Sequence, residues 1–167
     1  MKTKKLPSQA ETEVEFWPDS PEILPEDAVI IYTDHSHLNL DSDRIRSLVN
    51  QITEAEGRQI HRLEIVLTGA EKLHSLNKLW KNADYDTDVL SFSFTDGSLI
   101  DAAVYVSLDF AQESCKSYGV TFIQEASRYI VHGLLHLIGY EDNTIEAKKV
   151  MRQKEDQYLL HAGLIKV

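Results

Sequence analysis

The alternation of short β-branched runs with amphipathic segments is the feature that most constrains the fold of this chain. Residues 28–33 and 63–67 are rich in aliphatic side chains, and each run precedes a segment with apolar residues at helical spacing. Residues 89–94 alternate apolar and polar side chains, and one loop separates them from residues 104–107. We expect these last two strands to be antiparallel, because so short a connection leaves no room for a parallel crossover.

Helical spacing of apolar residues dominates the rest of the sequence. The predicted helices cover residues 41–56, 69–81, 108–118, 122–138 and 144–162. Three of them follow the last strand in succession, so the element order is β-α-β-α-β-β-α-α-α. This order predicts an α+β fold in which helices pack on a mixed sheet of four strands.

The length of 167 residues is typical of a single domain. Residues 1–27 are acidic and rich in Pro, Glu and Ser, with few apolar side chains. We therefore predict a poorly structured N-terminal tail at residues 1–27 and one folded domain over residues 28–167.

Composition excludes several classes of protein. The longest apolar runs, such as residues 28–31, are far shorter than the roughly 20 residues of a membrane-spanning helix, so no membrane partner is expected. Cys115 is the only cysteine, which rules out an internal disulfide and favours a cytoplasmic location. The net charge of −10 is the wrong sign for a protein that coats nucleic acid, so a nucleic-acid contact would need a focused cleft.

Two histidines in the fourth predicted helix carry the strongest chemical signal. His132 and His136 are four residues apart, so their imidazoles differ by only about 40° around a helix and point the same way. Gly139 is suited to a left-handed turn that would bring Asp142 back toward them. Two His and one carboxylate leave a coordination position open, which is the pattern of a catalytic metal site. The mid-helix Gly133 implies that a neighbouring strand or a ligand needs that space.

The sequence around these histidines resembles two families. The H-x-x-x-H-x-x-G spacing is similar to that of metzincin proteases, but Gly133 replaces the Glu that serves them as general base. The closer resemblance is to the bacterial YbeY family, whose signature is H-G-x-L-H-L-x-G-Y-D-H. Residues 132–140 match it at every fixed position, whereas Glu141 replaces its Asp and Asp142 replaces its third metal-binding His.

Further positions along the chain resemble the same family. The matching positions are Leu76-Asn77, the Thr-Asp-Val-Leu-Ser-Phe run at residues 87–92, and Met151 with Glu155. Lys81 stands where the family usually has Arg, and residues 102–104 depart from its Gly-Asp-Ile. The resemblance covers residues 28–162.

The resemblance implies a zincin-like fold and one catalytic Zn²⁺ per chain. It also implies a metal-dependent, single-strand-specific endoribonuclease that processes ribosomal RNA, in 16S rRNA 3′ end maturation and ribosome quality control. The partners would be ribosomal RNA and the small ribosomal subunit, with no DNA. Because Asp142 is a harder and more negative ligand than His, Mn²⁺ or Fe²⁺ would also suit the site.

Residue roles follow from the same resemblance. His132, His136 and Asp142 would bind the metal, and His132 would also be a catalytic residue. The alternatives to Asp142 as third ligand are Glu141, His35, His37 and His161. Lys81 would be catalytic and substrate-binding through a phosphate, or else a solvated lysine at a helix end. Arg128, one turn before His132, would contact a phosphate or pair with Glu125.

Two other functions compete with RNA cleavage. A metallopeptidase-like hydrolase is opposed by Gly133. A non-catalytic ribosome-assembly factor that keeps a metal for stability is compatible with the charge of −10 and with the departures at Lys81 and Asp142.

Overall fold

The computed structural model describes residues 28–96 and 99–166, so the predicted tail at residues 1–27 lies outside the described residues. The elements are β1 Val29–Thr33, α1 Ser42–Ala55, β2 Gln59–Thr68, α2 Ala70–Lys81, β3 Val89–Ser93, β4 Leu99–Ser107, α3 Leu108–Tyr118, α4 Phe122–Leu137 and α5 Ile145–His161. Their order confirms the predicted β-α-β-α-β-β-α-α-α arrangement and the α+β fold class.

Within the described residues, the strands form one mixed sheet in the order β1-β2-β4-β3. β1 and β4 both run parallel to β2, whereas β3 pairs antiparallel with β4 and forms an edge of the sheet. The antiparallel pairing predicted for the last two strands is therefore confirmed. β2 and β4 are longer than predicted because their first halves pair with each other, from Gln59 opposite Leu99 onward, although polar residues there hide the strand pattern.

The hydrophobic core lies between one face of the sheet and the helices. Leu63, Ile65 and Leu67 of β2 alternate along the strand, and each is fully buried. They pack in one cluster with residues of β4 and of α1, α4 and α5, including Ile130 and Leu134 of α4. Burying each such side chain contributes about 1.5–3 kcal/mol, so α4 is fixed firmly against the sheet.

Local sequence sets the two ends of α4. Thr121 accepts a hydrogen bond from the Gln124 backbone N–H, and the Gln124 side chain accepts one from the Thr121 backbone N–H, which completes a capping box. The helix ends at Leu137, and Gly139 follows with a φ of 104° that favours glycine. His132 and His136 therefore lie in the last turns of a well-anchored helix.

Among the residues that the structure describes, none of the helices is both long enough and apolar enough to span a membrane.

Candidate metal centre

Three side chains converge where α4 ends. The Nε2 atoms of His132 and His136 are 2.9 Å apart, and each lies 3.8 Å from one carboxylate oxygen of Asp142. All three ligand atoms lie within 4.8 Å of one another, and all three residues are partly buried. The group could therefore bind one metal ion, as the spacing of the two histidines and Gly139 predicted.

The turn after α4 explains how Asp142 reaches the histidines. The backbone N–H of Gly139 donates to the His136 carbonyl at 3.2 Å, and that of Tyr140 donates to the Leu135 carbonyl at 3.0 Å. These bonds fold the chain back over the end of the helix. Asp142 follows two residues later and thus comes to the face that carries the imidazoles.

Each imidazole is held by a hydrogen bond at Nδ1. Nδ1 of His132 lies 2.8 Å from a carboxylate oxygen of Glu155, and Nδ1 of His136 lies 3.0 Å from the carbonyl oxygen of Tyr140. A carbonyl can only accept, so Nδ1 of His136 carries the proton and its Nε2 presents a lone pair. Such a partner at the second nitrogen is typical of histidines that bind metals.

The donor set fits a metal ion. With both Nδ1 atoms donating, the two Nε2 atoms lie at hydrogen-bond distance, 2.9 Å apart, with the Asp142 carboxylate close by, and in the neutral form of both rings each Nε2 offers a lone pair. Three electron-pair donors around one point repel one another unless a cation lies between them. Imidazole and carboxylate ligands suit Zn²⁺, and the carboxylate also suits Mn²⁺.

Burial and neighbouring charges act oppositely on the two imidazoles. Burial lowers the pKa of His132, but the hydrogen bond and charge of Glu155, with the charges of Asp88 and Asp142, raise that pKa above its ordinary value overall. Burial and the charge of His132 lower the pKa of His136, and the nearby Lys81 charge lowers it further. The lowered pKa favours the neutral form of His136, which is the form that binds a metal.

Glu155 of α5 is the main partner that sequence reasoning left without a role. It is buried, it accepts from His132, and it also pairs with Arg128 at 3.0 Å. Burial raises the pKa of the Glu155 carboxyl, but its hydrogen bonds to His132 and Arg128 lower it overall. The Met151 and Glu155 pattern was the sequence signal for this residue, yet its contact with His132 depends on how α5 packs.

Arg128 has partners other than the predicted Glu125. Its guanidinium pairs with Glu155 at 3.0 Å and with Asp156 at 2.7 Å, and its side chain is only 11 % exposed. Two carboxylates already occupy this guanidinium. The structure thus places Arg128 behind Glu155, where it supports the carboxylate that holds His132.

Lys81 lies at the end of α2, close enough for its charge to act on His136. Desolvation lowers the pKa of the Lys81 ammonium group. Within residues 28–96 and 99–166, Lys81 forms no ion pair. The charge of Lys81 thus acts on one of the candidate metal ligands, and its contact with a phosphate stays a prediction.

Gly133 is required by the close approach of the sheet. A Cβ atom there would lie 2.7 Å from Val104 Cγ1, 2.9 Å from Ser91 Oγ and 3.0 Å from Val89 Cγ2. The Ser91 hydroxyl also donates to the Gly133 carbonyl at 3.0 Å. Of the two explanations predicted for this glycine, the neighbouring strand is the one that the structure shows.

The alternative third ligands stand outside this group of three. Among the described residues, the group with metal-binding spacing contains His132, His136 and Asp142 alone. His35 instead contacts the Asp109 carboxylate through Nε2 at 2.9 Å and accepts backbone N–H groups at Nδ1. Glu141 accepts from the Asn143 side chain at 2.7 Å.

The fold is an α+β domain with a mixed sheet. Two histidines of α4, with an aspartate from the turn that follows the helix, form a candidate metal centre of the type found in hydrolases. The sequence model of the family described as endoribonuclease YbeY matches residues 30–163. The chain belongs to the endoribonuclease YbeY family, so the predicted family and its enzyme class, an endoribonuclease, are both confirmed.

Individual relatives agree with this membership. The endoribonuclease YbeY of Salinibacter ruber is 40% identical over 151 residues, covering 85% of this chain and 93% of the relative. That of a Sulfurovum strain is 34% identical over 143 residues, covering 81% and 92%. The solution structure of TM1509 from Thermotoga maritima matches with a TM-score of 0.54 at 22% identity, covering 80% of this chain and 88% of that one, which shows a shared fold.

Proposed function

We propose that this protein is a metal-dependent, single-strand-specific endoribonuclease that acts in the cytoplasm on ribosomal RNA of the small subunit. Its tasks would be 16S rRNA 3′ end maturation and ribosome quality control. The observation that carries the metal dependence is the convergence of His132, His136 and Asp142, with both imidazoles turned so that Nε2 faces the carboxylate. Membership of the endoribonuclease YbeY family supports the reaction class.

Residues of α2, α4 and α5 and of the turn after α4 would share the chemistry. His132, His136 and Asp142 would hold the metal, which when bound would polarise a phosphate and acidify a water molecule. Lys81 would bind a non-bridging phosphate oxygen beside the site and so keep the RNA backbone in register. Glu155, supported by Arg128, would keep His132 oriented, and we therefore propose this role for Arg128 in place of a phosphate contact.

Asp142 influences which metal the site prefers. With a divalent ion, two neutral imidazoles and one carboxylate give a formal charge of +1, whereas three imidazoles would give +2. The lower charge acidifies bound water less. We propose Zn²⁺ as the resident ion, with Mn²⁺ or Fe²⁺ as ions that the carboxylate also accommodates.

Cleavage of defined RNAs with and without chelator tests the proposal. Purified protein should contain about one metal ion per chain and should cut an unstructured RNA faster than a duplex of the same sequence. Chelation should stop cleavage and zinc should restore it. Retained cleavage after complete metal removal would refute metal dependence, whereas metal binding without any cleavage would favour the non-catalytic assembly factor.

Lys78 provides a matched control for the role of Lys81. Both lysines lie in the last turn of α2, but Lys78 already pairs with Asp84 at 2.8 Å. We expect Lys81→Ala to slow RNA cleavage and to lower the slope of affinity against salt by about 0.7, the value of one single-strand phosphate contact. Lys81→Arg should keep or improve activity, because a guanidinium binds phosphate through two hydrogen bonds.

The control sets the outcome that would refute this role. Lys78→Ala should cleave like the parent, and neither alanine variant should change metal content. If Lys81→Ala also cleaves as fast as the parent at low salt, Lys81 is a solvated surface residue.

A further inference from the structure

The carboxylate of Glu56 joins three elements that surround the metal centre. It accepts hydrogen bonds from the Tyr140 hydroxyl, at 3.2 and 3.1 Å to its two oxygens, and from Lys154 Nζ at 2.8 Å. The hydroxyl of Tyr158 also donates to it. Tyr140 belongs to the turn after α4, and the other two donors lie on α5. One side chain thus links the end of α1, the metal-ligand turn and α5.

Glu56 lies where local preferences disfavour a negative charge. It is the C-cap of α1, whose last turn has no basic residue, so the carboxylate lies at the negative end of the helix dipole. Its side chain is only 15 % exposed. A residue that breaks a local rule in this way is expected to serve a tertiary contact, which here is the contact with Tyr140.

Tyr140 connects Glu56 to the metal ligands. Its side-chain hydroxyl is held by Glu56, and its backbone carbonyl accepts the hydrogen bond from Nδ1 of His136. Asp142 follows two residues later in the same turn. Arg58, just beyond Glu56, donates to the carbonyl of Ile138 at 3.1 Å and holds the beginning of that turn.

We propose that Glu56 is a positioning residue for the metal centre. Through Tyr140 it fixes the turn that sets the tautomer and orientation of His136 and that presents Asp142. This inference rests on the proposed metal centre and adds to it the residues that shape it. α5 thus supports both histidines. Glu155 of α5 contacts His132 directly, whereas the neighbouring Lys154 acts on His136 through Glu56 and Tyr140.

Two tyrosines offer a matched pair for the test. Tyr140→Phe and Tyr158→Phe each remove one hydroxyl from the same carboxylate, but only Tyr140 leads to His136. Zinc affinity, measured by competition with a chromophoric chelator, should fall by up to about tenfold in Tyr140→Phe, the lower end of the effect of losing a partner behind a metal ligand, because the carbonyl that holds His136 is kept while the turn that carries it loses its anchor. Tyr158→Phe should stay within about threefold of the parent, even where urea unfolding shows a loss of stability.

A double-variant cycle tests whether Glu56 acts through Tyr140. Glu56→Ala should weaken zinc binding as Tyr140→Phe does, and the double variant should be little weaker than either single variant, because both changes break one link. The ¹⁵N chemical shifts of His136 in metal-free protein give a readout that needs no metal. They should show a single Nδ1–H tautomer in the parent and in Tyr158→Phe, and a tautomer mixture in Tyr140→Phe.

The outcomes separate this inference from the proposed function. Equal zinc affinities for the parent and Tyr140→Phe, or equal losses in the two tyrosine variants, would mean that the Glu56 contacts only stabilise the fold. A His132→Ala protein that binds zinc as well as the parent would instead refute the metal centre itself. The expected result is a large loss in His132→Ala, a smaller loss in Tyr140→Phe and almost none in Tyr158→Phe.

Discussion

Two of the places where histidines meet carboxylates in this protein have opposite properties. At the candidate metal centre, His132 and His136 each use Nδ1 for a protein partner and turn Nε2 toward a shared point. At the surface, His74 uses both nitrogens for carboxylates, Nδ1 at 2.7 Å from Asp86 and Nε2 at 2.9 Å from Asp84. His74 therefore has no lone pair left for a metal.

The comparison shows that residue type and proximity do not make a metal site. A ligand histidine needs one nitrogen engaged by the protein and the other free to face the metal. α4 supplies both conditions because it is packed on the sheet on one side and on α5 on another. The His74 group, which we define as His74, Lys78, Asp84 and Asp86, lies in solvent and neutralises its own charges.

Removing one ligand should show the largest difference between the two groups. We expect His132→Ala to weaken metal binding by more than about 100-fold, because a two-ligand site with one imidazole competes poorly with water. His74→Ala should keep the full metal content of the parent. Elemental analysis after dialysis against a weak chelator measures the metal content of both variants. Equal metal content would mean that the two histidine groups do not differ in metal binding.

Changing the partner behind a ligand should have the next largest effect. Glu155→Gln removes the negative charge that supports His132, so metal affinity should drop about 10–100-fold. Asp84→Asn makes the same kind of change beside His74 and should leave metal affinity as it is. Chelator competition on both proteins at one pH provides the measurement, with urea unfolding as a check that Glu155→Gln stays folded.

Replacing the carboxylate ligand should strengthen zinc binding, in contrast to the two losses expected above. Asp142→His creates three imidazole ligands, and we expect zinc to bind about tenfold more tightly while the preference for Mn²⁺ declines. Paired zinc and manganese titrations would measure the change. Weaker zinc binding would mean that the surroundings of Asp142 are shaped for a carboxylate.

The smallest effect concerns the titration of His74. The hydrogen bonds to Asp86 and Asp84 raise the pKa of His74 above 6.5. Its contribution to stability is therefore fully present below the unfolded pKa of 6.5 and is lost as the pH rises through the higher folded pKa. NMR titration should find the raised pKa in the parent and a value nearer 6.5 in Asp86→Asn, with metal content the same in both.

Local patterns in the sequence were enough to predict the element order and the three side chains that come together as a candidate metal site. The four-residue spacing of His132 and His136 is a property of one helix, and Gly139 signals the turn that returns Asp142. Resemblance to the YbeY family then pointed to Lys81, which the structure places within electrostatic reach of His136.

Contacts between distant segments could not be predicted in the same way. Glu56 lies 84 positions before Tyr140 in sequence, and nothing in the composition of α1 marks it as part of the site. The first halves of β2 and β4 carry polar residues such as Arg62 and Asp101, so only their mutual pairing reveals them as strands. These features depend on tertiary packing, which a single sequence expresses weakly.

The structure around Gly133 explains why this position lacks the glutamate that metzincin proteases use as general base. Any side chain at this position would have to enter the space already filled by Val104, Ser91 and Val89, so the sheet, and not the reaction, restricts the residue that can stand there. Peptidase chemistry is thus not one substitution away: Gly133→Glu would lift α4 from its strands before its carboxylate could approach the metal. In evolutionary terms, the depth at which this helix sits obstructs the mutational path toward a zincin protease, because a glutamate here would first need smaller side chains in place of Val89 and Val104.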